Sequence, residues 1–129
     1  MTPFQKLLNF NPTIQHLWGN ISEELEKDNY LSAQLKEEVR KSLAQANGCL
    51  YCKAKGKPNP QSHDEKTAVC IGYAEAFLQS KGQTSPSVTN VLNEYLSKEE
   101  KDELLTFICF ITASQYLGAL HQLQPMPIK

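Results

Sequence analysis

Positive charge is not in excess in this chain. Its 13 Lys and Arg stand against 14 Asp and Glu, a net charge of -1. That balance offers no basic surface of the kind that nucleic acid or an anionic membrane attracts. The one local basic run, Lys53, Lys55 and Lys57, reads as a solvated loop or helix end. Uninterrupted apolar runs are also lacking; none approaches the ~18 residues that cross a bilayer. The opening segment 1–10 places Phe4, Leu7, Leu8 and Phe10 at helical spacing, but Gln5, Lys6 and Asn9 interrupt them. It is too short and too polar for a signal-peptide core. The expectation is a soluble, cytoplasmic protein with neither nucleic acid nor membrane as a partner. Cysteine is scarce, four residues in 129. In a reducing compartment a structural disulfide is not expected, so a close cysteine pair there points to redox chemistry or metal binding. No stretch alternates with β-branched enrichment, so no strand is expected. Internal repeats and low-complexity tracts are absent as well.

What is present is a succession of helix starts and stops. The length, 129 residues, fits one domain with one core, and the expected architecture is all-α with about six helices. Asn11-Pro12 supplies an N-cap followed by proline at the first helical position, opening a helix to about Lys27. Ser32 caps the next. Leu31, Leu35, Val39, Leu43 and Ala46 mark its apolar stripe, and Asn47-Gly48 stops it. Cys49 to about Gly56 forms a short helix before Pro58 and Pro60. Ser62-His63-Asp64-Glu65 has the form of a capping box, with Cys70, Tyr73, Ala74, Phe77 and Leu78 following on one face and Gly82 closing the helix. Ser85-Pro86 begins another, with Val88, Val91, Leu92, Tyr95 and Leu96 at amphipathic spacing. Ser97-Lys98-Glu99-Glu100 is a second capping box. Its helix is predicted to run to about Leu123, where Gln124-Pro125-Met126-Pro127 ends it.

That last helix carries Leu104, Leu105, Phe107, Ile108, Phe110 and Ile111 nearly all round its axis. A helix wet on one side cannot hide all six. It must be the central helix of the domain, lie at a subunit interface, or do both. In a small domain the expectation is both, and hence a homo-oligomer.

The chemistry-bearing element is Cys49-Leu50-Tyr51-Cys52. Two thiols three residues apart near a helix start can close a disulfide with little backbone movement. Helix N-terminal N–H groups favour the thiolate, which attacks a peroxide or a disulfide, and the second thiol resolves the product. The same spacing also begins many zinc sites. A second close Cys or His pair is missing here. Cys70 and Cys109 are isolated, each predicted on an apolar helix face, and His16, His63 and His121 are scattered. No metal or other cofactor is therefore expected, and a zinc module stands third among the readings.

Leu35-Lys36-Glu37-Glu38-Val39-Arg40, followed by Ala46-Asn47-Gly48-Cys49-Leu50-Tyr51-Cys52, resembles the carboxymuconolactone decarboxylase family, and most closely its alkylhydroperoxidase D-like branch. That branch has Glu, eleven residues, Cys, two residues, Cys, three residues and His. Glu37, Cys49 and Cys52 match this spacing, and so does the Asn-Gly before the first cysteine. The segments from Asp64 to Phe77 and from Leu96 to Ala113 are similar to the family helices that follow. The likeness covers roughly residues 14–123, so the whole of 1–129 reads as one such domain. It implies an alkylhydroperoxidase D-like helical bundle and a homo-oligomer, commonly a trimer or hexamer. It further implies peroxide reduction with electrons from a dithiol donor such as a lipoylated protein. By the resemblance, Cys52 is the attacking thiol, Cys49 the resolving one, and Glu37 a member of a proton relay. Glu37 lies about 18 Å along a straight helix from Cys49, so contact needs the cysteine helix to fold back or a partner subunit. The lactone decarboxylation that names the family is not implied, because the intact cysteine pair belongs to the redox branch.

Two positions depart from the pattern. Gly56 stands where the branch has its His, and Tyr51 where its best-known member has a second imidazole. A relay without imidazole lacks the group that titrates near neutral pH, and general acid–base help is typically worth about 10²–10⁴-fold. That predicts a slow peroxidase or a disulfide substrate. A non-catalytic oligomeric module, using the cysteines for redox sensing or for binding, is the alternative.

Overall fold

The helix starts form where short polar side chains can satisfy the free N–H groups of a first turn. In the computed structural model, which describes residues 1–126, seven α-helices and one 3₁₀ turn follow one another, and no strand occurs among those residues. They are α1 (Pro3–Leu7), α2 (Pro12–Glu26), α3 (Ala33–Ala46), α4 (Leu50–Lys53), α5 (Glu65–Ser80), α6 (Pro86–Tyr95) and α7 (Lys98–Leu120), with the 3₁₀ turn at Pro60–Ser62. Asn11 accepts from the N–H groups of Thr13 and Ile14, Ser32 from Leu35, Ser85 from Val88 and Ser97 from Glu100. The expected box at Ser97 is complete, since Glu100 also accepts from the Ser97 N–H at 3.0 Å.

Several boundaries differ from the sequence reading, among them that of α4, which ends at Lys53 rather than near Gly56. The cap of α5 is Asp64 rather than Ser62; its carboxylate accepts from Thr67 N–H at 2.7 Å. Pro60 draws Ser62 into the preceding 3₁₀ turn, where its hydroxyl donates to the Asn59 carbonyl instead. α7 ends at Leu120, three residues early, because Gln122 turns left-handed and Leu123 N–H returns to the Gly118 carbonyl at 2.9 Å. The segment 1–10, read only as helically spaced, forms the short α1 with its own capping box between Thr2 and Gln5. Of the predicted tail, Pro127 lies outside the described residues.

Helices α3 and α7 form the middle of the bundle. α5 packs on α3, α6 on α5 and α7, and α2 and α4 cover the other sides of α3 and α7. The main core joins Leu35, Val39 and Leu43 of α3 to Cys70 and Ala74 of α5, Leu92 of α6, and Leu104, Phe107 and Ile108 of α7. Of the six apolar residues that made α7 suspect, Leu104, Phe107, Ile108 and Ile111 are buried, while Leu105 and Phe110 pack against the core from its edge. The chain covers its own central helix, so this apolar girth does not require a second copy. α7 is also long and apolar enough to cross a membrane by length and composition, as the core helix of a folded bundle can be. A buried ion pair ties the two middle helices. Lys36 Nζ, 1% exposed, reaches Glu103 Oε1 at 3.2 Å and the Lys27 carbonyl at 2.6 Å, and Glu103 also accepts from Leu31 N–H at 2.9 Å.

Candidate active site

Gly48, at φ 78°, sits in the left-handed region where a side chain is strained, and it turns the chain sharply after α3. The turn folds α4 back along α3 within one chain. This shortens the separation that a straight helix would put between Glu37 and the cysteines. Cys49 becomes the N-cap of α4, its Sγ accepting from Cys52 N–H at 3.2 Å. α4 is a single turn, too short to carry a macrodipole, so this one N–H is what the helix start contributes. Cys49 and Cys52 are joined as a disulfide, with Cα atoms 5.2 Å apart.

The two sulfurs have unequal surroundings. Cys49 is fully buried, packed with Ala44 of α3 and Ala119 of α7 and pressed by Gly118. Cys52 is 8% exposed and lines an open cleft of about 750 Å³. α2 contributes His16 and Trp18 to the cleft walls, and α7 contributes Ser114 and Gln115. Tyr51 and Lys55 stand at its rim, with the Lys55 ammonium 5.3 Å from the centre of the Tyr51 ring.

Arg40 connects the expected acid to the expected nucleophile. It is buried, and its Nη1 donates to the Cys52 carbonyl at 3.3 Å. Its Nε and Nη2 grip the Glu37 carboxylate in a fork, the second bond at 3.3 Å. Glu37 is 45% exposed and bonds through the guanidinium rather than to a sulfur. Arg40 is held from behind by Gln115 Nε2, which donates to its backbone carbonyl at 3.2 Å, while Gln115 Oε1 accepts from Asn47 Nδ2 at 2.8 Å. Gln115 and Asn47 are both buried.

Sequence reasoning missed Arg40, Asn47, Gln115 and Gly118 as members of this site. The signals were a cation one step from the Val39 stripe position and, in α7, a glutamine and a glycine three apart inside an apolar helix. Gly56 adopts φ 113°, so an imidazole-bearing residue there would be strained. His63 is not at the cleft. It is nearly buried, with Nε2 2.8 Å from Glu38 Oε1, in a second cluster beneath the 54–64 loop. Burial opposes the charge on Glu38, but the Asn59 N–H, His63 and Lys41 outweigh it and hold the carboxyl below its usual range.

Of the remaining cysteines, Cys70 lies in the main core as expected, where burial pushes its thiol up to about 12. Cys109 is exposed, contrary to its reading as an apolar-face residue, because α7 turns Leu104, Ile108 and Ile111 inward and Cys109 falls on the opposite side. Among the described residues, no three His, Cys, Asp or Glu side chains gather as a metal site. No protein-family model, curated protein or solved structure matches this chain.

Proposed function

We propose that this protein is a thiol-dependent oxidoreductase that reduces peroxides or disulfides through Cys52 and Cys49. The observation that carries the reading is the asymmetry of the pair: Cys52 lines a cleft, while Cys49 is fully buried with its sulfur at bonding distance. In the reduced protein, Cys52 thiolate attacks the distal peroxide oxygen. The O–O bond breaks, an alcohol or water leaves after taking a proton, and Cys52 becomes a sulfenic acid. Cys49 thiolate then attacks the Cys52 sulfur, hydroxide leaves and is protonated to water, and the disulfide forms. With a disulfide substrate, the first step instead gives a mixed disulfide and one substrate thiolate, and Cys49 expels the second. A dithiol donor restores the pair. One donor thiolate attacks Cys52, Cys49 leaves as thiolate, and the donor's second thiol closes its own disulfide and frees Cys52.

Arg40 supports the assignment of Cys52 as nucleophile, because its guanidinium is fixed on the Cys52 backbone carbonyl and a positive charge near a thiol favours its thiolate. Glu37 acts by holding that guanidinium, and its relay role would pass through Arg40. The family resemblance supplies an alkylhydroperoxidase D-like bundle, a lipoylated protein as one donor, and a homo-oligomeric trimer or hexamer; the cytoplasmic location rests on the sequence composition instead. The surface a second copy would cover is the α2 stripe of Ile14, Leu17 and Ile21, which is 38%, 55% and 49% exposed.

The test is peroxide-dependent oxidation of a dithiol donor. Wild type turns over, Cys52→Ser does not, and Cys49→Ser stops at a sulfenic acid or mixed disulfide that a trapping reagent captures. Equal rates in wild type and Cys52→Ser would remove the catalytic reading. A second reading, a redox sensor without turnover, draws on the left-handed backbone at Gly56, where the family imidazole would be strained, and on the same α2 stripe. It expects the elution volume in size-exclusion chromatography to change between oxidising and reducing buffer while no donor is consumed.

A further inference from the structure

Helix α7 runs 23 residues, and Gly118, buried in its last turn, is its one glycine. Glycine inside a helix weakens it relative to alanine, so an interior glycine calls for a local reason. Gly72 in α5 has none of the close-approach kind, since a Cβ there would meet nothing within 4 Å. Gly118 differs. A Cβ at that position would stand 2.6 Å from Cys49 Sγ, 3.5 Å from Cys49 Cβ and 3.7 Å from Cys52 Sγ.

We propose that Gly118 is a positioning residue for the sulfur pair, and that the absence of a side chain at 118 sets the balance between its dithiol and disulfide forms. The inference rests on the dithiol reading above. A clash is cheap when the obstructed atom is the free end of a flexible side chain. In the oxidised pair it is not: Cys49 Sγ is bonded to Cys52, fully buried and engaged by Cys52 N–H. α7 cannot retreat either. Gln115, one turn earlier on the same face, ties it to Asn47 and to the Arg40 backbone, both on the α3 side of the turn into Cys49. In the reduced protein the bond is gone, and Cys49 Sγ can rotate about its single side-chain torsion. A methyl group at 118 therefore penalises the disulfide more than the dithiol. The couple is one disulfide plus two electrons and two protons against two thiols, with glutathione as reductant.

The experiment is a glutathione redox titration of the full chain, with free thiols at Cys49 and Cys52 counted after alkylation. Gly118→Ala is expected to raise the reduced-to-oxidised ratio at a given poise at least about tenfold, roughly 30 mV upward for this two-electron couple. Gly72→Ala is expected to titrate with wild type. A wild-type pair that never titrates reversibly would remove the dithiol reading and this inference together. A reversible wild-type pair with Gly118→Ala at the same poise would overturn the positioning role and leave the dithiol reading intact. Thermal melting gives an independent readout. Gly118→Ala should lower the midpoint of the oxidised protein but not that of a Cys49→Ala background, where no sulfur is obstructed. An equal drop in both backgrounds would overturn the proposal, including where Gly118→Ala is too unstable to titrate.

Discussion

The two ends of the α3–α7 pair are built from different materials. The end towards α5 and α6 is a large apolar cluster of leucine, isoleucine and phenylalanine side chains, with Lys36 and Glu103 paired at its margin. The end towards α4 has only Ala44, Cys49 and Cys52 as its buried apolar group, flanked by Tyr51 and Ala119. It is held by amide hydrogen bonds through Gln115 and by the Arg40 guanidinium. Apolar area removed from water dominates folding free energy, so the first end carries stability. Small residues and fixed polar groups can leave a cleft open and hold a guanidinium on the Cys52 backbone, so the second end is where the proposed chemistry would act. One pair of helices serves both because each changes character along its length.

Substitutions at the two ends should separate these roles. The largest expected effect is at Cys52: changing it to serine abolishes peroxide-dependent oxidation of the donor and alters unfolding free energy of the reduced protein by no more than about 1–2 kcal/mol. Phe107→Ala is its mirror image. Phe107 is 1% exposed, and its truncation should cost about 3–5 kcal/mol in denaturant unfolding while the alkylation rate of Cys52 in the folded protein stays as in wild type. A change in that rate would mean that the two ends are not independent.

Glu38→Gln probes the region between them and should cost about 1–3 kcal/mol near neutral pH by weakening the bonds to Asn59, His63 and Lys41. It also carries a pH signature. The Glu38 carboxyl is held below its usual value in the folded state. Its contribution is therefore complete above the unfolded value and is lost as pH falls through the lower folded one. Wild type should lose stability across that acid window more steeply than Glu38→Gln, and parallel curves would show that Glu38 is not the group responsible. The smallest effect belongs to Glu37→Gln. Its ion pair with Arg40 is partly exposed and worth about 0.2–1 kcal/mol. The turnover rate should fall only a few-fold, with the deficit growing less distinct at high salt. A loss as large as that of Cys52→Ser would give Glu37 direct contact with the reacting atoms.

The local features were legible in the chain because their physics is local. Asn11-Pro12, Ser32, Ser85-Pro86 and Ser97 through Glu100 cap helices by bonds spanning two or three residues, and those starts appear where the sequence puts them. The reach of the cysteine spacing was legible for the same reason. Asp64 displaced Ser62 because a neighbouring proline turn claimed the serine, a competition that pattern reading alone does not resolve. The partners of the sulfurs were not legible. Arg40 meets Cys52 across 12 positions, Asn47 meets Gln115 across 68, and Gln115 meets Arg40 across 75. His63, read as one of three scattered histidines, closes on Glu38, 25 positions away.

Sequence alone determined that this protein is helical, where most of its helices begin, and that two thiols sit one turn apart, since each depends on interactions among near neighbours. Only the tertiary structure decided which cysteine lines the cleft, which cation bonds its backbone, and what a side chain at residue 118 would meet. Those are consequences of how distant segments fill the same space, and close packing is a property of the assembled bundle rather than of any stretch of chain.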